Sequence, residues 1–133
     1  MLLLDSEALS RLARGRAERR ARVRALLLEA RRREETVATS ASVLAEVIRG
    51  RPADAEVFSS LRRDGVDVRP VDMRTGVRAG QLLGAVGAGS ELAVDAFLVA
   101  TADLSGGAVI ATVDPDDLRR LAAHTDRIVI VEI

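Results

Sequence analysis

Asp5, Glu46, Asp95 and Asp114 are the residues whose surroundings make them candidates for chemistry. Asp95 lies in the stretch 92–100, Leu-Ala-Val-Asp-Ala-Phe-Leu-Val-Ala, which is apolar on nearly every side of a helix. Leu92, Leu98 and Val99 are its i−3, i+3 and i+4 neighbours. An ionised carboxylate in such a place costs free energy unless a cation or good hydrogen-bond donors compensate it. Asp5 directly follows an apolar run, and Asp114 lies two residues past another, in Ala111-Thr-Val-Asp-Pro-Asp-Asp117. If those runs are parallel strands, both side chains reach the rim where ligands gather beyond strand carboxyl ends. Glu46 projects from the border of the apolar stripe Val43, Leu44, Val47 and Ile48, which suits a cleft edge.

The chain has no cysteine and a single histidine, His124, so thiolate sites and histidine clusters are excluded. Carboxylates converging without them suit a hard, oxygen-seeking ion, Mg2+ or Mn2+. Each acid also has an ordinary reading. Asp5 with Ser6 can cap a helix, Asp114 before Pro115 with Asp117 reads as a helix N-terminus, and Asp95 near a helix start can serve the macrodipole. Glu46 alone reads as a surface residue. Their joint placement carries the argument.

The elements that must position these acids alternate. Strands are expected at Met1 to Leu4, Thr36 to Thr39, Val66 to Pro70, Ala108 to Thr112 and Ile128 to Glu132, from short apolar runs mostly rich in valine, isoleucine or leucine. Between them, Arg16 to Arg33 carries Val23, Leu26, Leu27 and Ala30 at helical spacing, and Glu7 to Arg14 and Ser42 to Arg49 are amphipathic in the same way. Pro52 through Arg63, Met73 to Val86 and Glu91 to Leu104 read as further helices, punctuated by Gly50, Asp64-Gly65, Gly87/Gly89 and Gly106-Gly107. This alternation predicts a parallel sheet covered on both faces.

At 133 residues, 48% hydrophobic and 30% charged, the chain has the size of one domain, residues 1–133, with one sizeable core. No stretch approaches the length of a membrane span, the apolar start is too short for a signal peptide, and nothing points to an oxidising compartment, so the expected location is cytoplasmic. Net charge is zero, yet ten arginines from Arg11 to Arg33 face only Glu18 and Glu29, a local charge of +8. Such a stripe can hold phosphates, and equally it can be a solvated helix face. There is no lysine, tryptophan or tyrosine; Phe58 and Phe97 are expected in the core, which leaves no platform for stacking bases.

Several segments together resemble one known family. Leu3-Leu4-Asp5-Ser6, Ser42-Val-Leu-Ala-Glu46, Val94-Asp95-Ala-Phe-Leu-Val-Ala-Thr-Ala102 and Gly107-Ala-Val-Ile-Ala-Thr112 through Asp114, Asp117 and Leu118 resemble, in order and spacing, the PIN-domain family. They resemble in particular the VapC-type toxin ribonucleases of type II toxin–antitoxin modules. The departures are Leu118 where phenylalanine is common, Ser6 where threonine is common, and the bulkier Phe97-Leu98. The resemblance implies a three-layer α/β/α sandwich on a five-stranded, mainly parallel sheet in the order three, two, one, four, five. It implies Asp5, Glu46, Asp95 and Asp114 as catalytic, metal-binding acids, with Asp117 as a fifth or outer acid. Ser6 and Thr112 would then bond a carboxylate or water.

The activity implied is endoribonuclease hydrolysis with Mg2+ or Mn2+. The partners implied are an RNA substrate (transfer or ribosomal RNA), a cognate VapB-like antitoxin and a second copy in a homodimer. On the residues alone, the stretches Glu7 to Arg14 and Arg16 to Arg33 offer a partner helix a groove, unless their apolar stripes are spent on the core. Two other readings compete. A phosphoacceptor receiver domain shares the alternation but needs a lysine after the last strand, and it leaves Asp95 unexplained. A non-catalytic PIN-like binding or assembly module keeps the acids without turnover.

Overall fold

Leu2–Leu4, β1, and Val37–Ser40, β2, are buried along their whole length, as strands at the centre of a two-sided sheet must be. The computed structural model describes all residues, Met1–Ile133. Asp67–Arg69, β3, and Ile128–Glu132, β5, are the partly exposed edges, and Ala108–Thr112, β4, lies beside β1. Every pairing is parallel and the order is β3-β2-β1-β4-β5. The expected order is therefore found, and the sheet is wholly parallel where mainly parallel was expected.

The helices are Ser6–Arg14, α1; Ala17–Arg32, α2; Ala41–Val47, α3; Asp54–Arg63, α4; Met73–Val86, α5; Ala93–Leu104, α6; and Asp116–Ala122, α7. A 3-10 turn, Ser90–Leu92, leads into α6. Right-handed crossovers from β1 outward through β2 to β3 put α1, α2 and α4 on one face. The return to β4 and β5 puts α5, α6 and α7 on the other. The packing agrees: α1 lies against α2 and α4, and α5 and α7 lie against α6. Short α3 touches both α1 and α6, so it bridges the layers.

Local chemistry explains the boundaries. Asp5 starts α1 by accepting from the Ala8 amide at 2.6 Å, Ser40 starts α3 by accepting from Ser42 at 3.3 Å, and Asp72 starts α5 by accepting from Thr75 at 2.8 Å. Gly107 enters β4 with φ +117, and a Cβ there would lie 2.5 Å from the Arg127 carbonyl oxygen, a space only glycine leaves free. The helix expected over Ser42 to Arg49 begins one residue early and stops at Val47. Buried Asp54 explains the stop: its carboxylate accepts from the Arg49 and Arg51 amides at 3.0 Å each, which orders a loop where helix was expected. The helix expected from Pro52 accordingly starts at Asp54.

The core is one cluster that includes Leu9, Leu12, Val23, Leu27, Leu98 and Ile110. The apolar stripe of α1 and most of that of α2 are thus spent on the core, while Leu26 and Ala30 of α2 line an open hollow with Leu2, Val109 and Val131, and Leu28 is 51% exposed. One expectation is corrected outright. Phe58 is 45% exposed, because α4 turns Val57, Ser60 and Leu61 inward and leaves Phe58 beyond the edge of that stripe. Phe97 does pack against the core. His124 lies in the turn after α7 and is exposed.

Candidate active site

Strand order reverses between β1 and β4, and the crevice at their carboxyl ends is where open α/β sheets bind ligands. Asp5 leaves β1 at this point, with its amide donating to the Ala111 carbonyl of β4 at 3.2 Å. The carboxylate caps α1 at this strand end, and capping does not take it away from Asp95, on which its charge acts. From β2, the buried Thr39 hydroxyl donates to the Leu4 carbonyl at 2.7 Å, which pins the backbone just before Asp5. On the β4 side, the Thr112 hydroxyl accepts from the Asp114 amide at 3.1 Å, closing a small turn, and lies beside the Asp5 carboxyl. Burial raises the proton affinity of Asp5; the Thr112 hydroxyl and the Ala8 amide oppose that rise without cancelling it.

Asp95 is the meeting point. It sits in the first turn of α6, where the helix dipole favours a negative charge, yet its pKa is pushed up from 3.8 to about 6. Desolvation is the largest cause, followed by the charges of Glu46, Asp5, Asp117 and Asp114. Carboxylates from α1's cap, α3, the β4–α7 turn and α7 therefore all act on one group. Asp114 does not cap α7, which starts without a side-chain cap. None of the ion pairs in the structure uses any of these five acids. Five acids gather negative charge here and none is ion-paired.

The donor set is all oxygen, the kind a hard divalent ion seeks. No group of three or more acidic or histidine side chains stands close enough to grip an ion directly. Mg2+ keeps several of its waters and takes only one or two protein carboxylates, so a ring of acids at this looser spacing fits an ion held partly through water. Ser6, the other hydroxyl of interest, lines the hollow beside Glu46 with Glu7, Ser10 and Arg49. Reading the sequence did not single out Thr39, Ser10 or Arg49. A strand-terminal threonine that bonds a neighbouring strand, or residues four apart along α1 facing a hollow, carry no signal without strand neighbours.

A wholly parallel α/β sandwich whose switch point is ringed by unpaired carboxylates is a small acid-site domain. The chain belongs to the PIN domain family, whose model matches residues 2–124. Among solved structures it is similar to a chain of a toxin–antitoxin complex from Klebsiella pneumoniae, with a TM-score of 0.67 and 20% identity over 100% of both chains. It is similar also to a chain of VapBC2 from Rickettsia felis bound to a DNA fragment from their promoter. There the TM-score is 0.67 and the identity 14%, over 99% of this chain and 98% of that one. Likenesses at these identities establish the fold. No curated protein matches the sequence.

Proposed function

We propose that the chain is a divalent-metal-dependent endoribonuclease, the VapC-type toxin of a toxin–antitoxin pair, acting in the cytoplasm on transfer or ribosomal RNA. The observation that carries this reading is the convergence on Asp95: Asp5, Glu46, Asp114 and Asp117 all raise its proton affinity, and no basic residue pairs with any of them. Unpaired acids in a crevice are tolerated where a cation is to be bound, and they repel a bare polyanion.

In this reading Asp5, Glu46, Asp95 and Asp114 hold Mg2+ or Mn2+, with Asp117 outside them. A bound ion supplies charge neutralisation at the phosphate and lowers the pKa of a water. The chain's own part is positional. Asp5 is fixed by the Ala8 amide and the Thr112 turn, so its carboxylate presents a set direction to the crevice. In hydrolysis the water oxygen bonds to phosphorus as an ester P–O bond breaks; a carboxylate takes the water's proton, and the leaving oxygen is protonated from solvent. Asp95, whose pKa of about 6 without an ion reflects desolvation and the four neighbouring acids, is the group a bound cation would relieve most, so its part is to hold the ion.

The partners follow from the same reading. The proposed antitoxin is VapB-like. The proposed homodimer would use α5, where Met73 is 85% and Val77 57% exposed on one side of the helix. The competing reading, a PIN-like binding or assembly module without turnover, is favoured by the wide spacing of the acids.

Cleavage mapping on total RNA with manganese, comparing the wild type with Asp5→Asn and Asp95→Asn, separates them. A drop of at least about 100-fold in both variants is expected, since even residues behind a metal ligand cost 10- to 100-fold. An inert wild type across varied structured RNAs would favour the binding module, and equal cleavage by all three proteins would point to a contaminant.

A further inference from the structure

The arginine-rich stretch divides in the structure into side chains used by the fold and side chains left free. Arg11 donates to the Ile133 carbonyl at 2.8 Å, and Arg14 to the Val47 carbonyl and to Asp54 at 3.3 Å each. These two tie the end of the chain after β5, the last residue of α3 and the first of α4 to α1. Arg16 and Arg19, at the start of α2, are exposed and form no ion pair; Arg49, just past α3, is exposed and forms no ion pair either, donating only to the Ala45 carbonyl one turn back at 3.0 Å.

These three arginines, none of them in an ion pair, share a furrow with the acidic site. A hollow of about 310 Å³ is walled by Ser6, Ser10, Glu46 and Arg49, and the adjoining one of about 230 Å³ by Ser10, Arg14, Arg16 and Arg19. Glu7 and Ser10 line both, so the two are continuous from Glu46 at the rim of the carboxylate ring to Arg16 and Arg19. We propose that this furrow is the track of the substrate's phosphate backbone on one side of the scissile bond, with Arg49, Arg16 and Arg19 holding the phosphates. The proposal rests on the nuclease reading above.

Two features favour a nucleic-acid backbone over a partner helix. Val47 is the only hydrophobic residue lining the first hollow, and the second has none, so an apolar anchor has nowhere to seat. Guanidinium groups match phosphate with paired donors, and a polyanion approaching five carboxylates needs such cations beside them. Glu7, where the hollows meet, is the one acid in the track besides Glu46.

The test is fluorescence anisotropy with labelled bulk transfer RNA in chelator, on an Asp95→Asn background that prevents cleavage. Arg16→Gln, Arg19→Gln and Arg49→Gln combined are compared with Arg32→Gln, Arg62→Gln and Arg127→Gln combined. The second set makes the same charge change at exposed, unpaired arginines outside the furrow. The furrow triple is expected to bind at least about tenfold more weakly at ~0.1 M salt. Its slope of log K against log salt should also fall by about 2, near 0.7 for each phosphate that is no longer neutralised. The control triple is expected to change binding less than about twofold, and thermal melts of both triples check that they fold.

Equal losses in the two triples, or none in the furrow triple, overturn the proposal. So does polyglutamate that competes as well as RNA of equal charge, which would assign the furrow to an acidic protein segment. Cleavage by the wild type is read separately. Undiminished binding by the furrow triple beside active wild type removes the track and leaves the nuclease, while lost binding beside inert wild type does the reverse.

Discussion

Replacing Asp95 with asparagine should stabilise the metal-free protein at neutral pH, because the wild-type carboxylate is held against desolvation and four neighbouring acids. Its pKa rises from 3.8 to about 6, which in full corresponds to about 3 kcal/mol. Asp95 is only partly buried, so water screens part of this and about 1 to 2 kcal/mol remains. The folded state binds a proton that the unfolded state releases between pH 3.8 and about 6, so stability falls as pH rises through that window. The penalty is complete above it and absent below it.

Asp95→Asn should therefore melt about 3 to 10 °C higher than the wild type near pH 7 in chelator, and level with it near pH 4. Thermal unfolding at both pH values measures this. Adding Mg2+ near pH 7 should close the gap, since an ion that binds only the folded wild type stabilises it by mass action. A variant that melts at or below the wild type at both pH values would refute the reasoning, because the carboxylate would then be compensated by something other than a cation. The gain in stability should accompany the loss of RNA cleavage, as expected where function maintains electrostatic strain.

Three further outcomes test the frame around the site. Leu98→Ala, in the fully buried part of α6, should cost about 2 to 5 kcal/mol in a denaturant titration, through lost burial and the cavity left behind. Gly107→Ala forces a Cβ toward the Arg127 carbonyl at φ +117, and should cost at least about 2 kcal/mol in the same titration, with β5 the first strand to lose amide-exchange protection. Met73→Lys with Val77→Lys should convert the proposed dimer to monomer in size exclusion with light scattering, with little change in the protomer's far-ultraviolet circular dichroism. A wild type that is already monomeric would remove α5 as a dimer face.

The helices and strands were largely readable from the residues. Met73–Val86, Ala108–Thr112 and Ile128–Glu132 stand where periodicity and glycine placed them, because those signals act over a turn or two of chain. The errors arose where a distant group decided the outcome. The helix ending at Val47 yields to the carboxylate of Asp54, and Phe58 faces out because the inward arc of α4 is narrower than its apolar count suggests. The arginine stripe was visible as charge, but not its division into structural Arg11 and Arg14 and free Arg16 and Arg19, since the carbonyls and carboxylate that claim the first pair come from the end of the chain after β5, from α3 and from α4.

Composition and spacing alone thus settled a one-core α/β chain with acids after two of its strands and one carboxylate in an apolar helix, all properties of neighbouring residues. That these acids, far apart along the chain, act on a single group followed only from β1 lying between β2 and β4 with α3 bridging the layers. Charges interact through distance in space, and strand order sets that distance.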